Sequence, residues 1–361
     1  MTSSDKNPAA RRATIADVAA HAKVSTATVS RALSGTYPVA SETRRRVDDA
    51  VAALGYVVNA QARALAGART RSVGIIINEI VDPFYAYIAR GVEEEASSTG
   101  RLCLVCCTHG DPAQELAFID MLHERRADAV ILVGGSIGDK RHSGEIVRRG
   151  KALRDSGSML IHCGRATPGE EIAAVEYDNE GGALAATDHL VTNGHRRILF
   201  LGGPSKLSTV KARLEGHRRG LSARGVDFDP DLVRPGALGQ RFGYQGLKKA
   251  LASGLRFSAI FAANDNTAIG AYHALEEARL RVPEDMSIVG YDDLPSASLL
   301  RPALTTVNIP LEEMGRRAVR LAVSRGDEYA DGYPASNGDV RLGTHLVVRA
   351  SVAARRNRPK A

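Results

Sequence analysis

The sequence predicts an α/β chain with a small all-helical front end and a two-lobed body of doubly wound parallel sheets. Three observations carry that expectation. From Ser72 onward, short uninterrupted apolar runs alternate with segments of helical period. Residues 14–54 show the helical period alone, and the positive charge gathers at the front of the chain. Continuous apolar strands belong to sheets covered on both faces, the setting of parallel βαβ units. A length of 361 residues and a hydrophobic content of 44% leave enough chain behind the front end for two cores.

Residues 1–13 are polar, lack an apolar h-region and are expected to be disordered. In the next segment Ile15, Val18, Ala19 and Ala22 fall on one helical face, and Thr14 with Asp17 reads as a capping box. A tight turn at Lys23-Val24 leads to a second helix, capped by Ser25 and running to about Ser34, with Val24, Val29 and Leu33 facing the first. Ser41 is expected to cap a third helix through Val47, Ala50, Val51 and Leu54, leaving Arg44, Arg45 and Arg46 outside the small core. Two short helices joined by so brief a turn form the helix-turn-helix geometry, in which the second helix enters the DNA major groove. Residues 1–71 hold 11 Lys and Arg against 5 Asp and Glu, whereas the rest hold 37 against 36. Phosphate neutralisation is thus expected at residues 14–58, where Ser25, Thr28, Ser30 and Arg44 to Arg46 are candidate phosphate contacts and Thr14 is a further candidate DNA contact. Residues 59–71 form a hinge and linker, whose NAQARAL run is too short for a stable isolated helix and is expected to fold only on DNA.

In the body, 72–351, strands are expected at 72–78, 101–107, 129–134, 158–163, 173–178, 197–203, 259–264, 287–293 and 346–348. Helices are expected near 85–99, 112–125, 144–155, 180–193, 209–224, 240–253, 264–278 and 311–324. Open α/β sheets bind ligands at the C-terminal ends of their strands, and two facing lobes enclose a cleft. Asn78, Asp82, Phe84, Tyr85, Arg165, Asn264, Asp265, Asp292 and Asp293 all fall at such ends. For Asp265 and Asp293 a helix cap or strand-end hydrogen bond is the preferred role. Cys103-x-x-Cys106 lies in the apolar run LCLVCC without a second ligand pair, so buried strand cysteines are expected and no metal. No G-x-G-x-x-G, P-loop, G-x-S-x-G or H-E-x-x-H pattern occurs, so neither an enzyme nor a cofactor is expected. No stretch is long and apolar enough to span a bilayer, and a cytoplasmic, nucleoid-associated protein without a membrane partner is expected. The tail 352–361 is basic and without leucine heptads.

Three runs make a family resemblance specific: A-D-V-A-x-x-A-x-V-S-x-x-T-V-S-R-A-L at Ala16 to Leu33, V-x-x-x-T-R at Val39 to Arg44, and L-G-Y-x-x-N-x-x-A-x-x-L-A at Leu54 to Ala66. The chain resembles the lactose/galactose repressor (LacI/GalR) family of bacterial transcription regulators, and the resemblance continues to about Ser351. One departure is Lys23, where the family commonly has a turn glycine. The resemblance implies that Thr26, Ala27 and Arg31 face base edges. Small side chains suit a thymine methyl, and Arg31 suits guanine O6/N7. It implies that the hinge residues Asn59, Ala62 and Leu65 enter the minor groove, where Leu65 wedges between base pairs. It further implies a body like sugar-binding periplasmic proteins, with the chain crossing between lobes near 164, 293 and 326. Lobe 1 would then hold 72–164 and 294–326, and lobe 2 would hold 165–293 and 327–351. Asp82, Phe84, Tyr85, Arg165, Thr209, Arg213, Asn264 and Asp292 become the candidate effector contacts. Carboxylate, amide, guanidinium and aromatic groups together suit a sugar or sugar derivative. The function implied is a dimeric repressor on a pseudopalindromic, double-stranded operator under the allosteric control of that small molecule. The competing reading is a sugar-binding sensor without direct DNA regulation.

Overall fold

The computed structural model describes residues 13–34, 38–56, 70–135, 139–164, 172–323 and 340–355. It divides into two units, Met1–Thr70 and Arg71–Ala361. The sequence expectations for Asn59, Ala62, Leu65 and Arg165 lie outside the described residues.

The first unit contains α1 (Ile15–Ala22), α2 (Thr26–Ser34) and α3 (Ser41–Leu54). Thr14 closes a capping box with Asp17: its N–H donates to Asp17 Oδ2 at 2.8 Å and the Asp17 N–H donates back to Thr14 Oγ1. Lys23 ends α1 in the left-handed region, at φ 54° and ψ 48°. That is the conformation a turn glycine takes without strain. The Ser25 hydroxyl accepts the Thr28 N–H at 3.1 Å and starts α2. Ser41 does not cap α3. Ala40 stands at the boundary without a side-chain cap, and Ser41 is already helical, because Val39 packs on the core and fixes the entry of the chain. Val18, Val29, Val47 and Ala50 form the fully buried centre. Arg44 and Arg46 are more than solvated charges: they donate to Ala32 O and to Ala22 O, carbonyls at the C-terminal ends of α2 and α1, where the helix dipole favours a cation.

The second unit begins with β1 (Ser72–Ile77), β2 (Leu102–Cys107), β3 (Ala129–Val133), β4 (Met159–Cys163) and β5 (Ala173–Tyr177). It continues with β6 (Ile198–Leu201), β7 (Val233–Arg234), β8 (Ala259–Ala262), β9 (Ser287–Asp292) and β10 (Thr305–Asn308), and closes with β11 (Val340–Leu342) and β12 (His345–Val347). The helices between them are α4 (Pro83–Ser98), α5 (Pro112–Glu124), α6 (Lys140–Asp155), α7 (Asn179–Thr192), α8 (Ser208–Ser222), α9 (Gln240–Ala252), α10 (Asp265–Glu277), α11 (Pro295–Leu299) and α12 (Leu311–Val323). Two sheets result, ordered β11-β5-β4-β3-β1-β2 and β12-β10-β9-β8-β6-β7. Neighbouring strands run parallel except β12, which is antiparallel to β10. In the first sheet Ile75 and Ile131 pack toward Ile88 and Met314 of α4 and α12, while Ile76 and Leu132 pack toward Ile119 and Ile146 of α5 and α6. Alternate residues thus fill cores on opposite faces, the reason these strands are apolar throughout.

The crossings between lobes fall later than the expected 164, 293 and 326. β5 extends the first sheet, with Ile161 opposite Ala173, so the chain leaves that lobe after Tyr177. β10 pairs with β9 in the second sheet, so the return follows Asn308, and the last crossing lies between β11 and β12. The α4–α12 pair closes the first lobe tightly. A methyl group on Gly91 would overlap the Glu312 carbonyl, and one on Gly315 the Ile88 carbonyl.

Candidate functional site

The strand ends of both sheets meet around a cavity of about 440 Å³, lined from the first lobe by Asn78, Tyr85 and Tyr177 and from the second by Arg213, Asn264 and Asp292. Arg213, on α8, is 4% exposed. Its Nε donates to Asn179 Oδ1 at 3.0 Å, Nη1 to the Ala263 carbonyl, and Nη2 to Tyr177 Oη and Asp292 Oδ1, both at 3.1 Å. The guanidinium also lies 3.8 Å from the centre of the Tyr291 ring. Four of its five N–H groups are thereby committed, and because Tyr177 belongs to the first sheet and Asp292 to the second, the side chain ties the lobes together.

Asp292 ends β9 at φ 107°, a strained value for a non-glycine residue. Burial pushes its carboxyl up to about 7, against the pull of the Arg213 guanidinium. Burial alone would lower the Arg213 pKa, but Tyr177, Asp292 and Tyr291 around it raise it instead. Asp82 caps α4 by accepting the Phe84 N–H at 3.0 Å, and the same oxygen accepts Asn266 Nδ2 of α10 at 3.2 Å. It is therefore a link across the cleft. Burial raises the Asp82 carboxyl as well. Phe84 and Tyr85 pack edge to face with ring centroids 5.1 Å apart, and both line the cavity. Thr209 lines it at the first turn of α8, where Gly135 leaves room for its hydroxyl. Asn264 Oδ1 accepts the Thr267 N–H and hydroxyl and caps α10, so only the amide N–H₂ side remains for a ligand.

The structure thus gathers Asp82, Phe84, Tyr85, Thr209, Arg213, Asn264 and Asp292 around one cavity. Asp265 and Asp293 have structural partners: Asp265 accepts Thr306 Oγ1 at 2.6 Å and the Leu294 N–H, and Asp293 pairs with Arg349 at 2.7 Å. Sequence reasoning missed Tyr177, Asn266, Asp111, Glu115 and His142. Tyr177 was legible, since it ends a strand like the residues that were named. His217 is a core group: burial lowers its pKa to about 3, and Thr187, whose hydroxyl donates to Ala183 O, must accept from His217 Nδ1. Cys103, Cys106 and Cys107 are half-buried on the edge strand β2, and of the four only Cys163 is fully buried. The expectation that Cys103 and Cys106 are buried strand cysteines is corrected by the place of β2 at the sheet edge. Burial pushes the Cys103 thiol up to about 11 and Cys163 up to about 12. Among the described residues no group of three or more His, Cys, Asp or Glu is placed to hold a metal, and no helix is long and apolar enough to cross a membrane.

In the first unit Thr14, Ser25, Thr26, Ala27, Arg31 and Arg44 are exposed, and Thr28 and Ser30 are half-buried. They lie on α2, at its start, or at the entries to α1 and α3.

Residues 14–59 match the family described as "Bacterial regulatory proteins, lacI family", and residues 187–352 match the "Periplasmic binding protein-like domain". The chain is 34% identical to the HTH-type transcriptional regulator CelR of Thermobifida fusca, covering 94% of this chain and 98% of that protein. It is 33% identical to the HTH-type transcriptional repressor PurR of Mannheimia succiniciproducens with the same coverage of both. The lac repressor dimer bound to operator and the anti-inducer ONPF superposes with a TM-score of 0.78 at 26% identity, over 95% of this chain and all of that one.

Proposed function

The chain belongs to the LacI family of bacterial regulatory proteins, and we propose that it is a repressor whose paired heads bind a two-fold symmetric operator and whose inter-lobe cleft binds an uncharged sugar or sugar derivative. The observation that carries the effector reading is the Arg213 cluster, a buried guanidinium and carboxylate that join the lobes at the wall of a ligand-sized cavity. A ligand that bonds to this cluster changes how the lobes meet, which is the differential contact an allosteric coupling requires. In the head, Thr26, Ala27 and Arg31 read base edges, while Thr14, Ser25, Thr28, Ser30 and Arg44 contact phosphates. The hinge residues Asn59, Ala62 and Leu65 fold on the operator and enter its minor groove. The role is regulatory, not catalytic, and is exercised on DNA in the bacterial cytoplasm. Selection of bound sequences from a random duplex pool tests this reading. Enrichment of a motif with two inverted half-sites is expected, and a pool without enrichment would refute it.

A symmetric operator calls for two heads, and the body offers a face for a second copy. Edge strand β2 leaves Leu102 71% and Val105 46% exposed, an uncovered apolar edge of the kind that invites pairing. Leu102→Glu is expected to shift the protein from dimer to monomer in sedimentation velocity at micromolar concentration and to weaken operator binding. An unchanged sedimentation coefficient would place the dimer contact elsewhere.

The pH dependence of effector binding follows from Asp292. A ligand hydroxyl donating to this carboxyl favours its ionised form, which is lost as pH falls through about 7. Effector affinity measured by calorimetry is therefore expected to fall about tenfold between pH 8 and pH 6, and Asp292→Asn to flatten the profile. A flat profile in the unmodified protein would remove Asp292 from the ligand contacts.

A further inference from the structure

We propose that the end of the cleft beside α5 and α6 is a second recognition subsite, built by Asn78, Asp111, Glu115 and His142, which holds a hydroxyl-bearing second ring of an uncharged saccharide and turns away phosphorylated and carboxylated sugars. The proposal rests on reading the cleft as the effector site and extends it to what the effector must be. All four residues line the same cavity as Arg213 and Asp292. Asn78 directly follows β1, and its Oδ1 is buried without a hydrogen-bond partner among the described residues. A buried acceptor left unpaired is costly, so the site favours a ligand that brings a donor. Gly110 leaves the space beside that oxygen open: a Cβ there would stand 3.5 Å from it, and its φ of +78° is one that side-chain-bearing residues seldom adopt. His142 Nε2 and Glu115 Oε1 lie 2.9 Å apart, with side chains 17% and 19% exposed, so α6 and α5 hold each other's polar groups in place at the cavity wall. Asp111 is fixed by capping α5, its Oδ1 accepting the Ala113 N–H at 2.8 Å.

Charge gives the subsite its selectivity. The cavity is lined by the carboxyl groups of Asp82, Asp111, Glu115 and Asp292, and among the described residues Arg213 is its only guanidinium. Arg213 has four N–H groups committed within the protein, which leaves one for a ligand oxygen and no fork for a phosphate or carboxylate. An anion entering this wall meets the carboxyl groups of Asp111 and Glu115, and like charge opposes it. A hydroxylated ring meets acceptors instead.

Calorimetric titration of the full-length protein with cellobiose, lactose, maltose, glucose, galactose, glucose 6-phosphate and glucuronate tests the assignment. At least one disaccharide is expected to bind more tightly than its component rings, with the two anionic sugars at least about a hundredfold weaker. In Glu115→Gln and Asn78→Ala, checked for an unchanged melting profile, the ratio of disaccharide to monosaccharide affinity is expected to fall about tenfold or more. Unchanged ratios in both variants, or glucose 6-phosphate binding as tightly as a neutral sugar, would overturn the subsite while leaving the cleft a sugar site. Binding of none of the seven would overturn the sugar-site reading itself, and this proposal with it.

Discussion

Arg213→Ala is expected to abolish the response to effector and to destabilise the body by about 3–5 kcal/mol, the usual cost of removing one partner of a buried ion pair. The substitution strands several groups at once. Asp292 loses its counter-charge while 2% exposed, and the Tyr177 hydroxyl, Asn179 Oδ1 and the Ala263 carbonyl each lose a donor. The Asp292 carboxyl is already raised to about 7 by burial, and without the guanidinium it rises further. A group whose folded pKa exceeds its unfolded value loses stability as pH climbs toward the folded value. The deficit measured by urea unfolding is therefore expected to be larger at pH 8 than at pH 6. Adding Asp292→Asn to the alanine variant should recover part of it by removing the stranded charge. The head belongs to a separate unit, so operator binding is expected to survive and to become insensitive to effector. Full effector response with wild-type stability would remove the Arg213 cluster from the account.

Arg31→Ala is expected to cost discrimination at one base pair in each half-site. A bidentate arginine–guanine contact is worth about 1–3 kcal/mol, and a symmetric operator carries it twice, so the preference of the dimer for its site should fall by about 2–6 kcal/mol. The side chain is exposed on α2, the helix that the turn at Lys23 and the Ser25 cap set against α1. Anisotropy titrations on the selected operator and on duplexes altered at single positions distinguish the outcomes. Loss confined to one position per half-site supports base readout. Uniform weakening across all duplexes, with a shallower salt dependence, would make Arg31 a phosphate contact instead.

Much of this site was legible in the sequence because its residues sit in short runs at the ends of strong apolar strands. Asp292 follows SIVGY, Asn264 follows AIFAA, and Asp82 precedes Pro83-Phe84-Tyr85, so strand direction alone brings them to one rim. The lobe crossings were not legible. β10, with sequence TTVN, and β11, VRL, are short and partly polar, and they become strands through pairing with β9 and β5. Nor could periodicity show that Asn266 reaches Asp82 across 184 residues, or that His142 meets Glu115 from a neighbouring helix. Those contacts depend on sheet order, which the sequence pattern leaves open. Arg44 and Arg46 read from the sequence as phosphate contacts outside the small core, and only the packing of α3 reveals the carbonyls they bind.

The most direct test of the account is the affinity of the full-length protein for its selected symmetric duplex, measured by fluorescence anisotropy at two salt concentrations with and without the sugar that calorimetry identifies. The protein is expected to prefer the symmetric site over a scrambled duplex, to lose affinity steeply with salt, and to change its affinity about tenfold or more when the cleft is filled. Equal affinity for both duplexes at low salt, unaltered by any sugar that binds the body, would contradict it.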